Sequence, residues 1–361
     1  MADPLVDANT RHQLYLERLA SANANSLDPT LSALATFVRS RLAEEGSSIP
    51  SQAAMNRIIK DVRTRFMKGY TDWENETEKY LRELSDYETQ FQTDLLDDST
   101  TEDFTPKKPT NKSTKQEVQN TPMMIGPNGG AVAITGLVNG FAKSETDKVT
   151  SLIQTGYYQG RSTSDITASI TGTRANRFQD GVMAATKRNA TSISKTSTTH
   201  VSTSAKDNVY RDNERAVKGY ILTAVLDSRT SKICRGLDDT RVSFDDTYQP
   251  KPPFHVNCRT TTRPWLREDL DAVKKAERQT IGADGKEFEP TGKQYYTWLK
   301  QQPAWFQDDI LGPTEGKIFR NAGLSPQEFR NATIKRDGTP LTISEMAQKD
   351  DQIKEYLRKS A

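Results

Sequence analysis

Cysteine is nearly absent from this chain, with two in 361 residues. That excludes a scaffold stapled by disulfides and fits a protein made in a reducing cytoplasm. Long apolar runs are missing: nothing approaches the roughly 20 residues needed to cross a bilayer. The opening MADPLVDANTRHQ has neither a basic nor an apolar stretch of a secretion signal, so a non-secreted protein without a membrane partner is expected. An excess of one charge is missing too. Fifty Lys and Arg stand against 48 Asp and Glu, giving +2 and a pI of about 8.3, so any nucleic-acid contact must come from a local patch. Apolar residues make up 34% and the mean hydropathy is −0.76, which is little for one compact globule of a length that allows two or three domains. Long exposed helices, linkers or partner-covered surface are implied. The phosphate-loop, HExxH and GxSxG patterns are also absent, leaving the common NTPase, zinc-protease and hydrolase routes without support.

Helical periodicity dominates what is there. Leu31, Leu34, Val38 and Leu42 follow a start signal in which Asp28 and Pro29 suit the N-cap and N1. Met55, Ile58, Ile59, Val62 and Phe66 form a second stripe, and Trp73, Thr77, Tyr80, Leu84, Tyr87 and Phe91 a heptad-like third. A helical hairpin or bundle is expected over residues 1–96, with one seam free to pack on a neighbouring subunit as the alternative. Residues 97–125 hold only Phe104 and Val118 as sizeable apolar residues through Asn120, so a flexible linker or a partner-ordered tail is expected. After the Gly126–Gly130 turn, helical spacing returns with Val138, Phe141, Val149, Leu152 and Ile153. Ser162 with Asp165 marks a helix start and Gly172 its stop.

The stretch from Thr173 to Arg215 is crowded with Ser and Thr, poor helix formers. Loops of such length are uncommon in compact domains, and small side chains let helices approach closely, so a helix packed beneath other elements is expected. Its eight basic residues against four acidic ones give a local +4, and Arg174, Arg177, Lys187 and Arg188 are candidate contacts to DNA phosphates. A solvated helix face explains the same charges. Gly219–Asp227 reads as a buried strand, and Arg241–Phe244 as a short partner for it. Beyond residue 269, Trp298, Leu299, Trp305 and Phe306 anchor a helical extension to 361, with helix starts at Ser325 and Thr342. The fold class is mainly α (α+β), with a small β element.

Both cysteines, Cys234 and Cys258, fall in one block, and His255 lies three residues before the second. Pro250, Pro252 and Pro253 stiffen the approach, because each pushes the preceding residue towards extended geometry. Asp227 and Arg259 are placed to form a bidentate ion pair tying the strand end to the returning loop. Asn257, Ser228 and Thr230 supply groups for an irregular turn. A Cys–His nucleophilic dyad finds no orienting group in the sequence. For the cysteines, plain packing, a thiol or disulfide pair, and a Zn2+ site of Cys234, His255 and Cys258 completed by Asp227 or Asp238 all remain open.

The ordered set Asp227-Ser228-Arg229-Thr230-Ser231, Cys234, Leu237-Asp238, Pro253-Phe254-His255 and Asn257-Cys258-Arg259 resembles the phage Mu F-like minor head protein family. Family members often carry a second cysteine where this chain has Leu237. The resemblance implies a Mu F-like domain over residues 126–268 and a structural minor head protein without enzymatic activity. It implies a place in the virion, in the capsid interior or at the portal vertex, with a role in head assembly and DNA packaging or ejection. Portal protein, major capsid protein and packaged double-stranded DNA are the implied partners, with a homo-oligomer around the portal. No resident cofactor is expected, zinc being the alternative. Asp227, Arg229, Thr230, Cys234, His255, Asn257, Cys258 and Arg259 are expected to form a structural clasp. A DNA-binding protein ejected with the genome is the second reading, and a toxin-like enzyme domain, as found fused to this family, the third.

Overall fold

The computed structural model describes residues 4–101, 103–125, 130–267, 277–290, 293–335 and 338–360. The fold is mainly α with a small three-stranded sheet. Helix α1 (Pro4–Asn25) leads into α2 (Asp28–Ala43), capped by Leu27 without a side-chain bond, so that Asp28 lies inside the helix and not at its cap. The two expected stripes at Met55 and Trp73 belong to one 46-residue helix, α3 (Gln52–Asp97), about 70 Å long at 1.5 Å per residue. Ser51 caps it through the Ala54 N–H. Gly69, the one residue that suggests a break, serves close approach: a Cβ there would lie 2.8 Å from Thr30 Cγ2 of α2. The phase of the stripe continues through it, with Phe66, Tyr70, Trp73 and Thr77 all buried.

The 97–125 segment departs from the expected linker. It carries α4 (Asn111–Asn120), which packs on α3 and on α8 (Val182–Asp212) through buried Thr114 and Val118. Hydrogen bonds stand in for the missing apolar area: Asn208 Nδ2 donates to Thr114 Oγ1 at 2.9 Å, and His200 Nε2 lies 2.8 Å from the Val118 carbonyl. The Gly126–Gly130 turn lies outside the described residues except for its last glycine. Helices α5 (Ile134–Val138), α6 (Phe141–Tyr158) and α7 (Thr163–Thr171) follow, the last capped by Ser162 and stopped at Gly172, φ 84°. Helices α2, α3, α6 and α7 and the start of α8 enclose one apolar core.

The Ser/Thr-rich stretch is α8 itself, with a non-helical lead-in before Val182. Every residue from Thr196 to Asp207 is buried. The helix shows no apolar stripe because it has no solvent face along this stretch; small side chains let α1, α3, α4 and the sheet close on it from all sides.

The sheet has the order β2–β1–β3, all antiparallel, formed by β1 (Val217–Thr223), β2 (Arg241–Ser243) and β3 (Thr261–Leu266). Between β1 and β2 the chain makes the short helix α9 (Lys232–Leu237). At Gly219 a Cβ would sit 2.0 Å from the Val242 carbonyl oxygen, so only glycine lets β2 lie this close. β3 escapes a sequence reading because Pro264 interrupts it, yet an edge strand tolerates the lost donor. A hairpin of β4 (Glu277–Gly282) and β5 (Gly285–Pro290) bridges back to Leu226, whose carbonyl accepts the Ile281 N–H at 2.8 Å. Its turn signal, Asp284-Gly285, was available in the sequence.

The remainder is helical: α10 (Tyr295–Leu299), α11 (Ala304–Leu311), α12 (Pro313–Asn321), α13 (Pro326–Thr333), α14 (Ile343–Lys349) and α15 (Asp351–Ser360). Ser325–Glu328 and Thr342–Glu345 form reciprocal capping boxes. Tyr295, Tyr296, Trp298, Phe319 and Phe329 fill this core. Trp305, expected as an anchor, is 62% exposed.

Candidate functional site: a clasp on the buried helix

β1 ends at Thr223, short of the Asp227 end expected from the sequence, and Asp227, 3% exposed, lies four residues on in the irregular loop. Arg259 grips both of its carboxylate oxygens at 2.7 Å. The Arg229 N–H and the Thr230 hydroxyl each donate to Asp227 Oδ1 at 3.1 Å, closing the turn locally. Burial pushes the Asp227 carboxyl up, but the guanidinium and the Thr230 hydroxyl outweigh it and hold the group below its ordinary value. A bidentate, charge-assisted pair of this kind fixes orientation as well as distance. The Arg229 side chain contributes little, being 73% exposed and 3.6 Å from Asp227.

Asp238 is a second clamp. Fully buried, it accepts the Ala224 N–H at 2.9 Å and the Tyr295 N–H at 2.8 Å, joining the end of β1 to the C-terminal helices. The Tyr295 hydroxyl donates to the Asp227 carbonyl at 2.7 Å. Both carboxylates proposed from the sequence to complete a zinc site are therefore engaged elsewhere.

Ser231 caps α9 by accepting the Cys234 N–H, which sets the Cys234 thiol against the returning loop. The two sulfurs lie 3.7 Å apart and are unbonded. His255 Nε2 is 3.2 Å from Cys234 Sγ and 2.8 Å from Ser231 Oγ, while Nδ1 faces the Val256 carbonyl at 2.9 Å. The neighbouring Cys234 thiol draws Cys258 towards thiolate; burial opposes this and the facing imidazole supports it. Cys234 moves the other way, raised by its neighbour sulfur and then by burial.

The loop is fastened to α8. Asn257, in the left-handed region at φ 61° that asparagine tolerates better than most residues, donates its N–H to Thr196 Oγ1 at 3.0 Å and its side-chain amide to Ser192 at 3.2 Å. Thr199 donates to the Cys258 carbonyl at 2.9 Å. Further up the loop, the Tyr220 hydroxyl donates to the Pro250 carbonyl at 3.0 Å and Lys251 pairs with Asp207 at 2.6 Å. The hydroxyls of α8 thus serve as the loop's bed, a role that the sequence marked only as an odd abundance of Ser and Thr. Residues Thr196, Thr199, Ser231 and Asp207 were missed as parts of the site. Beside the loop, a cleft of about 290 Å³ is lined by Glu17, Lys195, Thr199, Arg229, Cys258 and Arg259, among others.

Of the eight clasp residues expected, the structure brings seven into the loop's network and leaves the Arg229 side chain largely in solvent. The DNA-contact candidates divide. Arg174, Arg177 and Arg188 are exposed, whereas Lys187 is held by Asp28 at 2.5 Å and by the Ala24 carbonyl at 3.0 Å.

A family model described as Phage Mu protein F like protein matches residues 147–263, from within α6 to β3. That segment is similar to the Mu F-like family. This is a family of structural phage head proteins and not a known enzyme family. No curated protein and no solved structure matches the chain. The Mu F-like match covers α8, β1, β2, the first half of β3 and the whole clasp, and stops short of the C-terminal helices. No helix among the described residues is long and apolar enough to cross a membrane.

Proposed function

We propose that this Mu F-like chain is a minor head protein of a tailed phage, seated in the capsid interior or at the portal vertex, where it acts in head assembly and in DNA packaging or ejection. The observation that carries the reading is the clasp within the matched segment. Asp227, Arg259, Asp238 and the Thr196 and Thr199 hydroxyls of α8 are spent on fixing one backbone geometry. Charged and polar groups spent on each other in this way make a rigid part, suited to holding a position in an assembly.

In this reading portal protein and major capsid protein are the partners, and further copies of the chain gather around the portal. Arg174, Arg177 and Arg188, which are exposed, are in this reading the groups that meet packaged DNA phosphates through non-specific, salt-sensitive contacts. The test is assembly in the presence and absence of the chain, with particles fractionated and probed for portal association. Chain co-sedimenting with portal-containing heads, and reduced DNA content in heads lacking it, support the proposal. Normal full heads without the chain, together with no association with portal or coat protein, overturn it.

A further inference from the structure

We propose that Cys234, His255 and Cys258 form a binding site for a thiophilic divalent cation, zinc being the best fit, which crosslinks α9 to the returning loop. The three ligand atoms all lie within 4.8 Å of one another, and no other cluster of this kind occurs among the described residues. Zn–S and Zn–N bonds of about 2.3 and 2.0–2.1 Å in a tetrahedron place two sulfurs about 3.8 Å apart, and a sulfur and nitrogen about 3.5 Å apart. The observed separations are 3.7 Å between the sulfurs and 3.2 Å from Cys234 Sγ to His255 Nε2. A disulfide needs about 2.05 Å, and the present spacing lets both sulfurs reach a common centre without displacement.

The histidine's orientation points the same way. Its Nδ1 is hydrogen-bonded to the Val256 carbonyl at 2.9 Å, which requires a proton on Nδ1 and leaves the Nε2 lone pair directed at the sulfurs. Holding a ligating imidazole through its other nitrogen is the usual support of a metal-bound histidine. A fourth position falls to an oxygen, either water or Ser231 Oγ, which is 2.8 Å from Nε2. Asp227 and Asp238 are excluded by their own clamps. Bound metal would fasten the loop in parallel with the Asp227–Arg259 pair, so each fastening backs up the other.

The experiment uses the full chain, purified under reducing conditions, stripped with chelator and reconstituted with Zn2+ or Co2+. One equivalent of zinc per chain is expected, with a thiolate-to-cobalt charge-transfer band in the Co2+ form and a rise of several degrees in Tm on reconstitution. Cys234→Ser and Cys258→Ser should abolish the charge-transfer band or weaken it strongly. His255→Gln should lower affinity at least tenfold while retaining the fold by circular dichroism. Should the cysteine variants fail to fold, the stripped wild-type chain and His255→Gln still decide the matter. Stoichiometric binding that His255→Gln leaves unchanged overturns the proposal, as does reconstituted wild-type chain holding less than a tenth of an equivalent. Failure here would leave the head-protein reading intact, because that reading stands on assembly.

Discussion

The two halves of α3 are built on different principles. From Ala54 to Trp73 the buried face is Met55, Ile58, Val62, Phe66, Tyr70 and Trp73, set against α2 and α6. From Thr77 to Leu96 the same helix buries Thr77, Ser85, Glu88, Thr89, Gln92 and Thr93 alongside its leucines, set against α8 and α4. The first half is held by area removed from water, which tolerates small shifts. The second adds to its buried leucines hydrogen bonds to other helices, made by Thr77, Glu88 and Thr89. At its centre Glu88, fully buried, is bonded to His12 of α1 and accepts the Ser202 hydroxyl at 2.7 Å. Lys206 is buried nearby, its ammonium 2.6 Å from Thr261 Oγ1. One helix therefore joins an apolar bundle to a polar bed, and the polar end is the one that supports the clasp.

The comparison is broken most severely by Phe66→Ala, which empties a fully buried ring site in the apolar half and should cost about 3–5 kcal/mol in urea unfolding. Glu88→Ala strikes the polar half. It leaves His12, Ser202 and Lys206 without their common carboxylate and should cost about 3–5 kcal/mol. Because the loss is electrostatic, the separating measurement is pH. Burial pushes the Glu88 carboxyl up, but His12, Lys206 and Ser202 outweigh that and lower it; the net direction for Asp227 is the same. Stability from such groups is complete above the ordinary carboxylate value of about 4, and is lost as pH falls through the lowered values. Phe66→Ala should therefore lose stability equally above and below about pH 4, while Glu88→Gln and Asp227→Asn should flatten the acid limb that lies below it. Parallel acid limbs in wild type and both carboxylate variants would show that the polar half is not held by charge.

Asp227→Ala, removing one partner of the part-buried bidentate pair, should cost about 2–3 kcal/mol and raise amide exchange in residues 250–260 with α3 unaffected. Thr199→Val is the finest probe. It keeps shape but strips the Cys258 carbonyl of its donor, a loss of about 1–2 kcal/mol confined to the loop.

The apolar half and the loop's chemistry were legible in the sequence, and the polar bed was not. Met55 to Phe66 keep helical spacing, and the Asp227–Arg259 pair follows from a strand end and a returning basic residue that must satisfy each other. By contrast, Thr196 to Asp207 carry no periodic signal, because periodicity reports a boundary between core and solvent and this stretch of α8 has none. Helix α4 was hidden for the related reason that Thr114 and Val118 bury through hydrogen-bonded neighbours on α8 more than through apolar area. Strand β3 was masked by Pro264, and the β4–β5 hairpin was overlooked despite its turn dipeptide. The motif from Asp227 to Arg259 located the site, while the geometry of its support lay in residues with no motif.

Asp238 carries a consequence for how the chain can be divided. Its carboxylate has one oxygen on the end of β1 and the other on the Tyr295 N–H at the entry to the C-terminal helices. Arg330 reaches back to the Gly236 carbonyl at 2.7 Å, and Lys232 pairs with Glu315 at 2.6 Å. A fragment cut where the family match ends, at Arg263, would take the Tyr295 N–H from Asp238 and uncover Leu226. The six trailing helices are thus a lid that the recognisable segment cannot shed, and a designer borrowing that segment would have to take them along.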